Sequence, residues 1–249
     1  MIVPDQHAVP VALVTGGAVR IGRALALALA GDGLDVVIHC RNNRVAAEET
    51  AQQIRDLGRR AWTVSGVLEG ADAAGAVFRE ALEQASRIDV LLNNAALFSQ
   101  GTLTETTAAA FEAAWQINAL APILLTQAFA AHIRGRGPET YGVVINLLDQ
   151  RIAGRPTGNL AYTLSKQALA DFTRLAAAEL APLIRVNAIA PGPVLPPPSG
   201  APRERAGAVP LGLRPTEQDI VDAALYLIRA RAVTGQILFV DGGQHLAGG

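Results

Sequence analysis

The sequence predicts an α/β fold, a doubly wound sheet of seven mostly parallel strands with helices on both faces. Three observations lead there. Short β-branched runs alternate with longer stretches of helical periodicity, the pattern of parallel strands joined by right-handed crossovers. Several of the runs are apolar at every position, as strands buried on both faces require. Finally, 50% of the 249 residues are hydrophobic, and 21 basic side chains stand against 22 acidic ones, a formal charge of −1. That composition excludes a disordered chain.

The elements follow in order. Val11–Val14 is the first strand and Ile21–Ala30 the first helix. Val36–Ile38 precedes a helix over Val45–Leu57, and Trp62–Val64 precedes one over Ala73–Ala85. Val90–Leu92 leads into a long apolar helix, Ala108–Ile133. Val143–Leu147 leads into Leu160–Leu180. Arg185–Ile189 is followed by the helix Glu217–Arg229 and a last strand, Ile237–Val240. No repeat or linker interrupts them, so residues 1–249 are expected to form one domain. The single irregular stretch, Pro191–Pro215, is rich in proline and glycine. Loops of that length inside a domain are usually functional, so residues 191–215 are expected to serve the substrate.

Composition also removes several function classes. A near-neutral charge gives no footprint for nucleic acid. One cysteine, Cys40, allows no internal disulfide and no cysteine-built zinc site. His7, His132 and His245 lack metal-ligand spacing among themselves, so no metal is expected. Met1 to Pro10 lacks the pattern of a signal peptide. The longest apolar stretches are broken by Arg23, Asp32, Asn118, Pro122 and Gln127, so no membrane span is expected. The location expected from these absences is the cytoplasm.

The first strand runs into Thr15-Gly16-Gly17-Ala18-Val19-Arg20-Ile21-Gly22, and a helix follows. Glycines at such a turn let the backbone approach a pyrophosphate, while the helix start offers unpaired N–H groups. This predicts a dinucleotide site. The second strand ends His39-Cys40-Arg41-Asn42-Asn43 with no acid to hold a bare ribose. Arg41 could instead pair with a 2′-phosphate, and Arg20 adds a cation within the turn. NADPH is therefore the expected cofactor.

Tyr162 and Lys166 lie four residues apart, one turn along the same helix face. A phenol with a reference pKa of about 10 transfers protons poorly at neutral pH. A neighbouring ammonium favours the phenolate and is expected to bring the value down. Around this pair stand Asn93-Asn94-Ala95-Ala96 after the fourth strand, Asn118 within its helix, and Asp149 at the end of the fifth strand. Asn187-Ala188-Ile189-Ala190-Pro191-Gly192 and a closing Val240-Asp241-Gly242-Gly243 complete the set.

From about Val11 to Gly243, these ordered motifs resemble the short-chain dehydrogenase/reductase family. The resemblance implies a Rossmann-type sheet and hydride transfer with a nicotinamide cofactor. It places the cofactor against Gly16, Arg20, Ile21, Gly22, Arg41, Asn42, Asn94, Ala95, Tyr162, Lys166, Pro191 and Gly192. Three departures from the common pattern narrow it: Arg20 replaces the middle glycine of the turn, Asp149 replaces a serine that steadies substrate carbonyls, and Phe98 follows Asn-Asn-Ala-Ala. Together they are similar to the pteridine-reductase branch, which includes dihydromonapterin reductases. Val67 and Ala96 depart from it, lacking an adenine-contacting aspartate and a pterin-binding serine.

The activity this implies is reduction of a dihydropteridine, of dihydropterin or dihydrofolate type. The expected catalytic residues are Asp149, Tyr162, Lys166 and Asn118. Asp149 and Tyr162 would donate the proton, and Asn118 would hold a water leading from Lys166. Arg20, Phe98, Asp149 and Tyr162 would hold the substrate, with Phe98 stacked on its ring. One alternative is an NADPH-dependent carbonyl reductase, such as a 3-oxoacyl thioester reductase. Another is a weakly active NADP(H)-binding regulatory protein. The helices around Ala119–Ile133 and Leu160–Leu180 are apolar over more than one face, and the family implies a homodimer or homotetramer through them.

Overall fold

Successive residues of a strand point to opposite faces of its sheet, and in this chain both faces are covered. Ala12 and Val14 of β1 (Val11–Val14) pack into one helical layer and Val11 and Leu13 into the other. The first layer comprises α1 (Arg20–Gly31), α2 (Arg44–Asp56) and α7 (Glu217–Arg229), through residues such as Leu25, Ile54 and Leu227. The second comprises α3 (Ala73–Ala85), α5 (Ala121–Gly135) and α6 (Leu160–Leu180), through Phe78, Phe129 and Ala176. This two-sided cover explains why the strand runs carry no polar alternation. The computed structural model describes residues 9–70, 72–154, 157–194 and 209–247. Residues 195–208, most of the expected substrate loop at 191–215, lie outside the described residues.

The sheet adds β2 (Asp35–Cys40), β3 (Ala61–Ser65), β4 (Val90–Asn93), β5 (Gly142–Leu147), β6 (Ile184–Pro191) and β7 (Ile237–Val240). Its order is β3-β2-β1-β4-β5-β6-β7, and every neighbouring pair is parallel. The chain works outward from β1 to β3, then returns to β4 on the other side of β1. In such sheets ligands bind beyond the carboxyl ends of the strands, at the switch between β1 and β4. Thr15, His39, Asn94, Asp149 and Gly192 all follow or end strands on that edge.

The helix expected over Ala108–Ile133 is divided. α4 (Ala108–Trp115) passes into a π-helical turn, Gln116–Leu120, before α5 begins. The apolar period runs through the turn unbroken, which hides it from a periodicity argument. Asn118 is fully buried in the wider turn; π turns of this kind concentrate at functional sites. Ala108–Gly135 is long and apolar enough by composition to cross a membrane. Here Leu125, Phe129 and Ile133 of its second half pack in the sheet's helical layer. Phe111 and Trp115 on α4, with Leu164 and Leu175 on α6, are left exposed. Leu164 and Leu175 lie on Leu160–Leu180, one of the two helices through which the homodimer or homotetramer is expected.

Candidate active site

The turn after β1 is held open from three sides. Thr15 Oγ1 accepts from the Asn94 N–H at 2.9 Å and the Ala95 N–H at 3.0 Å. Asn94 Nδ2 returns bonds to the carbonyls of Thr15 and Gly16, at 2.8 and 3.2 Å. His39 forms the third side. Its Nδ1 accepts the Gly16 N–H at 3.3 Å, and its Nε2 faces the Gly66 carbonyl at 3.0 Å. Burial lowers the imidazole pKa. These partners fit one neutral tautomer, with the proton on Nε2. No local pattern in the sequence points to this bond, since its partner Gly66 lies 27 positions away.

Gly16 occupies the left-handed region at φ +63°. A Cβ on Gly22 would stand 2.1 Å from the Gly16 carbonyl oxygen, so helix and turn touch backbone to backbone. Arg20 is also left-handed, at φ +55°, a conformation costing a non-glycine residue about 1–2 kcal/mol. Such strain is held at binding sites by the surrounding structure, and here it keeps an exposed guanidinium at the start of α1. Ile21 and Gly22 follow it into the helix. Arg41 and Asn42 are exposed beyond β2. The second-strand end lacks an acid of its own, but Glu69 reaches Arg41 from the β3–α3 connection at 3.6 Å. Pro191 ends β6, and Gly192 follows, its N–H bonded to Val240 at 2.9 Å.

A dinucleotide fits this crevice. The glycines let turn and helix pack backbone to backbone, α1 starts at that turn, and the exposed Arg20 and Arg41 flank it. Lys166 lies in the same edge, completely buried, its ammonium donating to the Leu147 carbonyl at 2.6 Å.

The phenol and carboxylate expected to work together do meet. Tyr162 Oη donates to Asp149 Oδ2 at 3.0 Å. Arg151 completes the carboxylate's surroundings: its backbone N–H reaches Oδ1 at 2.9 Å, and its Nη1 lies 3.3 and 3.2 Å from the two oxygens. Asp149 therefore accepts on both oxygens. Within the pair expected to supply the proton, the phenol is the hydrogen-bond donor and the carboxylate its acceptor.

The direction expected for the phenol's pKa changes. Burial, then the negative charge of Asp149, push the Tyr162 phenol well above its ordinary value. Lys166 does not offset this, since its Nζ lies over the ring face, 5.9 Å from the centroid, and is spent on Leu147. The cation that does lower the phenol is Arg151, which the sequence reading passed over.

Asn118 ties two parts of the site together. Its Oδ1 accepts from the Leu97 N–H at 2.7 Å, and its Nδ2 donates to the Leu97 carbonyl at 2.9 Å and to Ser165 Oγ at 3.0 Å. Through these bonds its amide clamps the segment carrying Phe98 to the helix carrying Tyr162 and Lys166. Phe98 is half exposed, its ring edge-on to Tyr162 with centroids 4.8 Å apart. An open aromatic ring beside Tyr162 can stack on a flat ligand. Val67 and Ala96 are exposed.

Burial lowers the Lys166 ammonium to about 8 from an ordinary 10.5. Between pH 8 and 10 the unfolded chain therefore keeps a proton that the folded chain has released, and stability rises with pH. Urea unfolding should show a gain of about 2–3 kcal/mol across that window, absent from Lys166→Met. A parallel pH profile for the two proteins would show that Lys166 is not charged at a cost.

Comparison with known proteins matches this geometry. Residues 17–245 fit a family model described as enoyl-(acyl carrier protein) reductase. An alternative dihydrofolate reductase 1 from Brucella suis, solved in complex with NADP, superposes with a TM-score of 0.87; it is 36% identical, over 95% of each chain. Pteridine reductase 1 of Leishmania tarentolae is 32% identical over 95% of this chain and 96% of its own length. The 3-oxoacyl-(acyl-carrier-protein) reductase of Staphylococcus aureus is 28% identical over 94% and 98%.

Proposed function

The chain belongs to the short-chain dehydrogenase/reductase family of oxidoreductases, and from that premise we propose that it reduces a dihydropteridine to the tetrahydro form with NADPH. One observation carries the reading: Tyr162, Asp149 and Phe98 converge at the mouth of the dinucleotide crevice. A carboxylate replaces the hydroxyl that steadies carbonyls in the wider family, and an open phenylalanine offers stacking worth about 0.5–1.5 kcal/mol beyond burial. A dinucleotide held in that crevice would supply the hydride of the reduction.

The remaining work falls to the chain. Gly16, Gly22 and Asn94 shape the phosphate crevice, and Arg41 pairs with a 2′-phosphate. Phe98 holds the ring flat. Arg20 lies at the start of α1, placed to reach the pyrophosphate and the ring oxygen. Tyr162 turns its hydroxyl hydrogen from Asp149 to the ring nitrogen, so that one hydride and one proton complete the two-electron reduction. The phenolate left behind is refilled from solvent. Asp149 accepts from Tyr162 before the step and remains the oriented acceptor beside the ring edge.

The experiment is NADPH oxidation with dihydrobiopterin or dihydrofolate, run beside an acetoacetyl thioester. Turnover on the dihydropteridine is the expected result, and turnover on the thioester alone would overturn the reading in favour of a carbonyl reductase. Asp149→Ser should reduce dihydropteridine turnover relative to carbonyl turnover. If the ratio of the two stays constant, Asp149 does not select the substrate.

A further inference from the structure

Arg151 has no assigned part in the reaction, yet it contacts Asp149 and faces the Phe98 ring. It lies in a 3-10 turn, Gln150–Ala153, entered directly from Asp149. Its guanidinium contacts both carboxylate oxygens, and its Cζ lies 5.6 Å from the Phe98 ring centroid. Its side chain is 26% exposed, so it borders the pocket without being sealed in the core. Among the described residues, Nη1 alone is committed to a protein acceptor; Nε and Nη2 have no hydrogen-bond partner there.

Two consequences follow from chemistry. First, a carboxylate on a strand end can rotate, and an oxygen aimed at Tyr162 must be held. The Arg151 backbone N–H fixes Oδ1, and the guanidinium spans both oxygens, leaving Oδ2 directed at the phenol. Second, the pocket places an anion beside a group that must itself become an anion when its proton leaves. The charged groups facing Tyr162 are Asp149, Arg151 and Lys166. Lys166 is turned to Leu147, so the nearest compensation for the Asp149 charge comes from Arg151.

We propose that Arg151 is a positioning residue of the reduction: it locks Asp149 against Tyr162 and balances the charge that appears there as the phenol gives up its proton. The proposal rests on the reading of Tyr162 as proton donor, whichever substrate receives the proton. Arg151 acts on the rate of transfer more than on cofactor or substrate affinity.

The test compares Arg151→Ala and Arg151→Lys with wild type, on whichever of dihydrobiopterin or the acetoacetyl thioester the wild type reduces. Arg151→Ala should lose about 10–100-fold in kcat, as small misplacements of reacting groups do, with KM and NADPH affinity nearly unchanged. Arg151→Lys, or millimolar guanidinium added to Arg151→Ala, should restore part of the rate. Wild-type activity confined to the thioester sinks the pteridine reading alone. Unchanged kcat in Arg151→Ala, or a loss that neither lysine nor guanidinium repairs, sinks this one.

A readout free of turnover completes the test. Ultraviolet titration of each protein, minus its Tyr162→Phe counterpart, isolates the Tyr162 phenol. Removing Arg151 takes away a lowering influence, so ionisation should begin at higher pH. A merely structural role would loosen the pocket and move it down towards that of a solvated phenol, which would overturn the proposal.

Discussion

Changing Tyr162 to phenylalanine should lower turnover by roughly 10²–10⁴-fold, the range for loss of a general acid, and leave NADPH affinity largely intact. The geometry allows little substitution by a neighbour. Asp149 accepts on both oxygens from Tyr162 and Arg151. The Lys166 ammonium is bonded to Leu147 and lies over the ring face, 5.9 Å from its centroid. Phenylalanine keeps the ring and its edge contact with Phe98, so the pocket retains its shape and only the proton is lost. Steady-state rates and a fluorescence titration with NADPH measure the two halves of the expectation. Near-wild-type turnover would assign the proton to another group, and a collapse of NADPH affinity would make Tyr162 chiefly a binding residue.

The sheet was legible because burial on both faces leaves a local mark. Val11–Val14, Val36–Ile38 and Val90–Leu92 are continuous apolar runs, and a single window shows them. Helix ends were readable to within a few residues where caps are local, as with the Thr216 and Asp219 capping box of α7. The π turn was not readable. One extra residue per turn changes which backbone groups pair, while the apolar order of side chains runs on unaltered. Asn118 within an apolar helix was its only outward sign.

The site divides along the same line. The meeting of Tyr162 with Asp149 was readable because the strand end and the helix face fix both side chains independently. What the phenol experiences was not, because a pKa depends on the sum of all nearby charges and on solvent. Lys166 is four residues along the helix, yet Leu147 captures its ammonium. Arg151 follows Asp149 by two positions, and that spacing becomes a clamp only when the chain winds into a 3-10 turn. His39 likewise gains a part only when β3 brings Gly66 beside β2. Pairwise spacing within one element carried over into the fold; competition for a side chain among several elements did not.

Gly22→Ala tests the crevice by the smallest possible change, and its expected effect is large. The added Cβ would lie 2.1 Å from the Gly16 carbonyl oxygen and 2.6 Å from Asn94 Nδ2. The first of these is backbone in a turn already fixed by Thr15, Asn94 and His39, so it cannot yield as a flexible side chain would. Either α1 moves off the turn or Gly16 does, and both displace the N–H groups that face a pyrophosphate. NADPH affinity should fall by at least about tenfold, equivalent to about 1.4 kcal/mol, with a loss of thermal stability. Gly31→Ala supplies the control. Gly31 ends the same helix with open space around its Cβ position, and alanine there should stabilise the chain by about 0.4–1 kcal/mol through the unfolded state without touching NADPH binding. Two identical chemical changes in one helix thus separate propensity from contact. If both variants bind NADPH equally well, the crevice at Gly22 does not hold the cofactor.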